Sequence, residues 1–322
     1  MSFLSALRES TAPAVAVEIA SGRVSAASLE WRGGQPVVAA HAFEPLPTGA
    51  LVPSLTAANA VDRAAVGGAL SRLLETMGRP RRIGLILPDV VAKVSIVRFE
   101  QVPARTQDLD QLVRWQVRKS APFAIEDAQV SYVPGLHAAD GHEFVVTLAR
   151  RSVIQEYEAL CAAAGAHAGL VDVATLNVIN AVLAGSGAPS GDWLLVNIAA
   201  DYSSIALLRG PSLIFFRNRA ADTDGTLADL VHQSAMYYED RLQGGGFSRV
   251  ILAGATAAAA QPSIDVDQLR RSLQERLTTP VETVDPRTAA ALTDRISAAP
   301  ALLDALTPLV GLLLRDRTRV PA

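Results

Sequence analysis

AVAVEIASGRVSAASLEWRGGQPVVAAHAF, residues 14–43, reads as three strands in a row. Ala14 to Ala20 is a continuous apolar run interrupted by a single charge, Glu18, the pattern of a strand buried on both faces. Ser21-Gly22 is a turn, Val24 to Trp31 a second strand, Gly33-Gly34 a hairpin turn, and Val37 to Phe43 a third strand. The same order returns in WLLVNIAADYSSIALLRGPSLIFFR, residues 193–217. There a strand is followed by a turn at Ala199 to Tyr202, a second strand, a turn at Arg209-Gly210 and a third strand. Each copy is followed by a helix and a further apolar strand, Ile83 to Leu87 in the first and Arg249 to Ala253 in the second. A repeated half points to two similar lobes facing each other across a cleft, although two unrelated meanders would give the same pattern.

Between the copies lies a β-α-β-β-α run. Val94 to Val102 alternates as a strand, and a helix from Thr106 to about Lys119 carries Leu109, Leu112, Val113 and Val117 on one face. Pro122 ends it. Gln129 to Leu136 and Glu143 to Ala149 are strands around an Ala139-Asp140-Gly141 turn, and Ser152 to Ala164 is a helix stopped by Gly165. Val171 to Leu183 is expected to be helical. The small-residue run Gly185 to Gly191 is the best hinge in the chain. After the second copy, Val266 to Leu277 is a helix, Val281 to Val284 a strand and Ala301 to Leu314 a closing helix.

Composition narrows the function. The 322 residues suffice for two cores, and with half of them apolar and 19% charged the chain is globular. The net charge is −3 and Lys and Arg are spread singly or in pairs, so the dense basic footprint of a nucleic-acid binder is missing. Cys161, the sole cysteine, sits in an apolar helical run and reads as a buried structural thiol. The five histidines are scattered, which argues against a metal centre. Gly244-Gly245-Gly246 is not followed by Lys-Ser/Thr and precedes a strand, so it is a linker and no phosphate loop. Residues 1–12 lack the pattern of a secretory leader. Leu302 to Leu314, broken by Asp304, Pro308 and Gly311, is far short of the ~20 residues of a membrane span and is expected to be a buried helix. A soluble, cytoplasmic protein is expected, reaching a membrane only through a partner.

In a two-lobed fold of this kind the first turn of each lobe faces the cleft, where backbone N–H groups hold phosphates and a nearby acidic group holds a hydrated Mg²⁺. At these positions, and in LVRWQVRKSAPFAIEDAQVSYVPG (112–135), DWLLVNIAADYSSIALLRGPSLIFFRNRA (192–220), VILAGATA (250–257) and LVGLLLRD (309–316), the sequence resembles the PilM family of type IV pilus assembly proteins and, more distantly, the cell-division protein FtsA. The resemblance implies an α/β, two-lobed actin-like fold with the small β-α-β-β-α domain inserted in the first lobe. The expected division is residues 1–92 and 167–188 for the first lobe, 93–166 for the inserted domain and 189–322 for the second lobe. It implies recruitment to the inner membrane by the N-terminal peptide of a PilN-like protein, contacts with other pilus inner-membrane and motor components, and a homo-oligomer or ring near the motor ATPases.

The chain departs from that family where chemistry would occur. Asp-x-Gly of the first loop is Glu18-Ile19-Ala20, and that of the second is Asn197-Ile198-Ala199. Gly254-Ala255 replaces a glycine pair, and Ser25 stands at the place of a lysine. Glu18, Ser21, Gly22, Asn197, Asp201, Ser203 and Gly254 therefore outline a vestigial nucleotide cleft, with no cofactor expected, ATP with Mg²⁺ as the alternative, and no catalytic residue assigned. Asp201, Ser203 and Ser204 either offer polar groups to the cleft or serve ordinary turn chemistry. Trp115 either belongs to the core of its helix or lines a partner groove with Lys119, Pro122 and Phe123. The leading reading is a scaffold. The alternatives are a nucleotide-switched ATPase of the same fold and the equivalent component of a type II secretion platform.

Overall fold

The protein, seen here as a computed structural model, is described for residues 13–138, 141–221, 223–256, 264–294 and 296–318. The expected turn residues Ala139 and Asp140, and Ala257 at the end of the 250–257 motif, lie outside these. The first sheet is built from β1 (Val15–Ala20), β2 (Arg23–Arg32), β3 (Gln35–Pro45), β4 (Arg82–Leu87), β8 (His167–Val173) and β14 (Ala291–Leu292), in the order β14-β3-β2-β1-β4-β8. The second is built from β9 (Asp192–Ile198), β10 (Tyr202–Arg209), β11 (Ser212–Ala220), β12 (Arg249–Ala253) and β13 (Val281–Thr283), in the order β11-β10-β9-β12-β13.

Setting β14 aside, the two sheets have one plan. In each, the first strand pairs antiparallel with the second and parallel with the fourth, the second pairs antiparallel with the third, and the fourth pairs parallel with the last. Both second–third hairpins also carry a register shift, between Ser28 and Leu29 and between Leu207 and Leu208. A bulge at the same place in both copies is what a duplicated unit gives and two unrelated meanders do not. At the first hairpin turn, Gly33 and Gly34 both have positive φ, +58° and +81°, as a two-residue hairpin loop requires.

Helices sort onto the sheets by their apolar faces. α1 (Arg63–Thr76) starts at Asp62, whose carboxylate accepts from the Ala65 N–H at 2.9 Å, and buries Val66, Leu70, Leu73 and Leu74. It shares one face of the first sheet with α3 (Arg151–Ala163), which contributes Val153, Tyr157, Leu160 and Cys161. α4 (Ala174–Ser186) and α7 (Pro300–Thr318) pack on each other, and α7 covers the opposite face over Ala16, Ala27, Val38 and Ile86. A Cβ on Gly311 would lie 1.7 Å from the Asn177 carbonyl oxygen, so glycine is what lets these helices touch. The second sheet is covered by α5 (Leu227–Leu242) and α6 (Val266–Leu277). Among the described residues no helix is long and apolar enough to cross a membrane.

The small sheet runs β5 (Ala92–Phe99), β7 (Gly141–Arg150), β6 (Ala128–Ala138), in that spatial order. α2 (Thr106–Arg118) covers one face with Val113 and Val117 against Phe99, Phe144 and Val146. The other face presents Val94 and Val145 to Leu195, Leu208 and Leu213 of the second sheet.

Three expectations are corrected. Residues 167–173 are strand β8, where a helix from Val171 was expected. Parallel pairing of Ile86 with Asp172 and Leu87 with Val173 overrides a helical-looking apolar run, and the helix begins only at Ala174. The inserted unit does not keep its last helix, because α3 turns its apolar face to the first sheet's core. The chain after residue 189 is not confined to the second sheet either. β14 pairs with β3 at Ala291↔Val37, and α7 closes the first core. The expected closing helix is buried as read, with Pro308 inside it.

Candidate functional site

The two sheets bring the turns after β1 and β9 face to face. Between them opens a cavity of about 610 Å³, lined by Glu18, Ser21, Gly22, Asn197, Asp201 and Gly254 among others. Ser203 does not line it: it is buried in the β10 ladder opposite Ile198. Six of the seven predicted cleft residues thus converge from chain positions up to 236 residues apart (254 − 18).

Glu18 and Asn197 occupy equivalent positions. Glu18 is opposite Ser25 and beside Ile86, and Asn197 is opposite Ser204 and beside Ala253. Neither points an unengaged carboxylate into the cavity. Glu18 is 7% exposed and accepts from Ser25 Oγ at 3.1 Å and from Arg23 Nη2 at 3.2 Å, an ion pair closed within its own hairpin. Asn197 donates through Nδ2 to Thr175 Oγ1 at 2.8 Å.

Across the mouth of the two turns, Ser21 Oγ donates to Asp201 Oδ2 at 2.6 Å. Burial raises the Asp201 carboxyl above the usual carboxylate range, and the Ser21 bond opposes that shift. Gly22 sits at the tip of the first turn, where its carbonyl accepts from the Leu46 N–H at 2.9 Å. Gly254 has φ +70°, and a Cβ there would lie 1.9 Å from the Ile198 carbonyl oxygen. Its glycine character is therefore fixed by the close packing of the β12 exit on the β9 exit.

Below the turns lies a polar cluster that the sequence reading missed. Asp89, just past β4, is fully buried. Its carboxylate accepts from the Thr175 N–H at 2.9 Å, from Thr175 Oγ1, and from Ser204 Oγ at 2.6 Å, while its carbonyl accepts from Asn218 Nδ2 at 3.1 Å. Burial pushes the Asp89 carboxyl up to about 6, held back by the Ser204 and Thr175 bonds. Ser204, Asn197 and Asn218 belong to the second sheet, Asp89 and Thr175 to the first lobe, so this cluster fastens the lobes together. The available signal was one acidic residue at the exit of the wholly apolar strand Ile83 to Leu87.

On the inserted unit, Trp115 is 65% exposed. At 100° per residue it stands nearly opposite Val113 and Val117, which are buried, and that settles its open reading against the core. Lys119 and Pro122 are exposed, while Phe123 is half-buried against the small sheet. Among the described residues there is no cluster of His, Cys, Asp and Glu that could hold a metal ion. His137 and His142 stack across the β6–β7 pair with ring centroids 4.2 Å apart.

A solved structure agrees with this architecture. A PilM–PilN type IV pilus biogenesis complex superposes with a TM-score of 0.77 at 19% identity, covering 97% of this chain and all of that one. The cytoplasmic domain of EpsL, an inner-membrane component of the type II secretion system of Vibrio cholerae, gives 0.49 at 12% identity over 94% and 92%. A Bacteroides thetaiotaomicron protein of actin-like ATPase fold and unknown function gives 0.49 at 9% over 86% and 92%. The fold is the two-lobed actin-like fold. The family model of the type IV pilus assembly protein PilM matches residues 16–240, well over half of the sequence, and on that match this chain belongs to the PilM family.

Proposed function

We propose that this protein is a non-hydrolysing scaffold of type IV pilus assembly, held at the cytoplasmic face of the inner membrane by the N-terminal peptide of a PilN-like partner. The observation that carries the scaffold reading is the state of the cleft. Glu18 is paired with Arg23, Asn197 with Thr175, and Asp201 with Ser21, so the positions that would face a metal or phosphates are engaged within the protein. Ala20 and Ala199 add side chains beside the turns where the family has glycine. The partner is supported by family membership and by the likeness to a PilM bound to PilN. Trp115, flanked on the exposed face of α2 by Arg118 and Lys119, is the anchor we assign to a partner contact.

Calorimetry on the full chain tests both halves. Titration with the N-terminal peptide of the PilN-like protein from the same genome should give saturable binding in the absence of nucleotide. Titration with MgATP should stay flat to about millimolar concentration, the range where binding is worth only about −4 kcal/mol. Micromolar MgATP binding, or a peptide that binds only with nucleotide present, would overturn the reading in favour of a nucleotide-switched protein.

A further inference from the structure

We propose that the interlobe cavity is a metal-independent site for a small organic monocation, an ammonium group carried on an apolar body. This rests on the degenerate-cleft part of the reading above, not on the partner peptide.

Three acidic residues, Glu18, Asp201 and Asp304, line the cavity against one arginine, Arg23. Arg23 is closed on Glu18 at 3.2 Å, which leaves the charges of Asp201 and Asp304 to be accounted for. Both are held by neutral donors. Asp201 Oδ2 accepts from Ser21 Oγ at 2.6 Å, and Asp304 Oδ2 accepts from Thr256 N at 2.8 Å and from Thr256 Oγ1 at 2.5 Å. Neither has a cationic partner among the described residues. A carboxylate taken out of water is costly unless it is paired. Burial already pushes the Asp201 carboxyl upward, with the Ser21 bond and a backbone bond opposing it, the sign of a negative charge short of compensation. A cation in the cavity supplies what the protein does not.

The walls decide the rest of the ligand. Val178, Leu302, Leu306 and Leu309 belong to a lining that is mostly apolar, and about 610 Å³ lies within the range of small-molecule sites. A bare metal ion would leave that surface unused, and Glu18 and Asn197, where a hydrated magnesium ion would sit, are turned to Arg23 and Thr175. Phe43, on β3, lines the same cavity and is 55% exposed, a large ring that the core does not use. The face of an aromatic ring attracts positive charge, and organic ammonium groups are ligands that exploit it. Unpaired acids, an open aromatic ring and apolar walls around one space share that class of ligand.

The probe is thioflavin T, an apolar body with one fixed positive charge whose fluorescence rises when its rings are held, titrated against the full chain in EDTA. One saturable site is expected. Asp304→Asn keeps an acceptor for Thr256 but removes the charge, and should weaken the site about ten-fold or more. Phe43→Ala alters an exposed ring, serves if Asp304→Asn fails to fold, and should weaken the site about three-fold or more. Tryptamine should displace the dye, and indole-3-acetate, the same ring system with the opposite charge, should not. Dye binding that is absent, that is unchanged in Asp304→Asn or in Phe43→Ala, or that indole-3-acetate displaces as well as tryptamine does, overturns the proposal and leaves the scaffold reading standing. Micromolar binding of MgATP overturns both.

Discussion

Ser21 Oγ lies 2.6 Å from Asp201 Oδ2, a hydrogen bond between turns 180 residues apart that ties one lobe to the other where phosphates would pass. Ser21→Ala removes the donor and leaves a partly buried carboxylate with less compensation. A loss of about 1–3 kcal/mol is expected on denaturant unfolding. Hydrogen exchange should speed up in both turns while the strands behind them keep their protection. Unchanged exchange in the 199–202 turn would show that the bond holds nothing closed.

Asp89 makes stability depend on pH in a direction opposite to that of a salt-bridged acid. Its folded value, about 6, is above the unfolded 3.8, so the folded state takes up a proton first. The contribution is fully present below the unfolded value and is lost as pH rises through about 6, by about 3 kcal/mol at most. Half-buried Asp172 is also raised and acts with the same sign, so the wild type must be compared with Asp89→Asn. Urea unfolding of both across this window should find a shallower pH slope in the variant.

Glycine is required at Gly254 and Gly311 and not at Gly22. Gly254→Ala combines a left-handed backbone, worth about 1–3 kcal/mol, with a collision against the Ile198 carbonyl, and Gly311→Ala collides with that of Asn177. Both should lower the melting temperature by several degrees. Gly22→Ala, with nothing within 4 Å of the added carbon and no left-handed φ, should melt like the wild type.

Trp115→Ala should leave stability within about 0.5 kcal/mol, since the indole covers no core. It should also weaken binding of the PilN-like peptide by about ten-fold or more, the effect of losing an aromatic anchor. A stable variant with full peptide affinity would move the contact elsewhere.

Cys161 is on the buried face of α3, and burial pushes its thiol up to about 12. The thiolate, not the thiol, is what attacks disulfide reagents. The native protein should therefore resist them at neutral pH and react once unfolded, which a timed thiol titration in rising urea would record.

The residue pattern was most informative where structure is local. Gly33-Gly34, the apolar strands and the paired three-strand units were legible because turn chemistry and alternation act over a few residues. β8 was not, since seven mixed residues can serve helix or strand until β4 supplies hydrogen bonds. Six cleft positions were legible through resemblance, yet their state was not. Arg23 closing on Glu18 depends on side-chain placement within one hairpin that the residue types do not dictate, and Asp89 drawing in Ser204 depends on an approach between lobes that no local window contains.

The return of α7 to the first sheet has a consequence for synthesis. While the chain is still being translated, Ala16, Ala27, Val38 and Ile86 present an uncovered oily face until residues 300–318 leave the ribosome. The first lobe to be made is therefore the last to be finished, and a truncated or stalled product is an aggregation hazard rather than a smaller working protein.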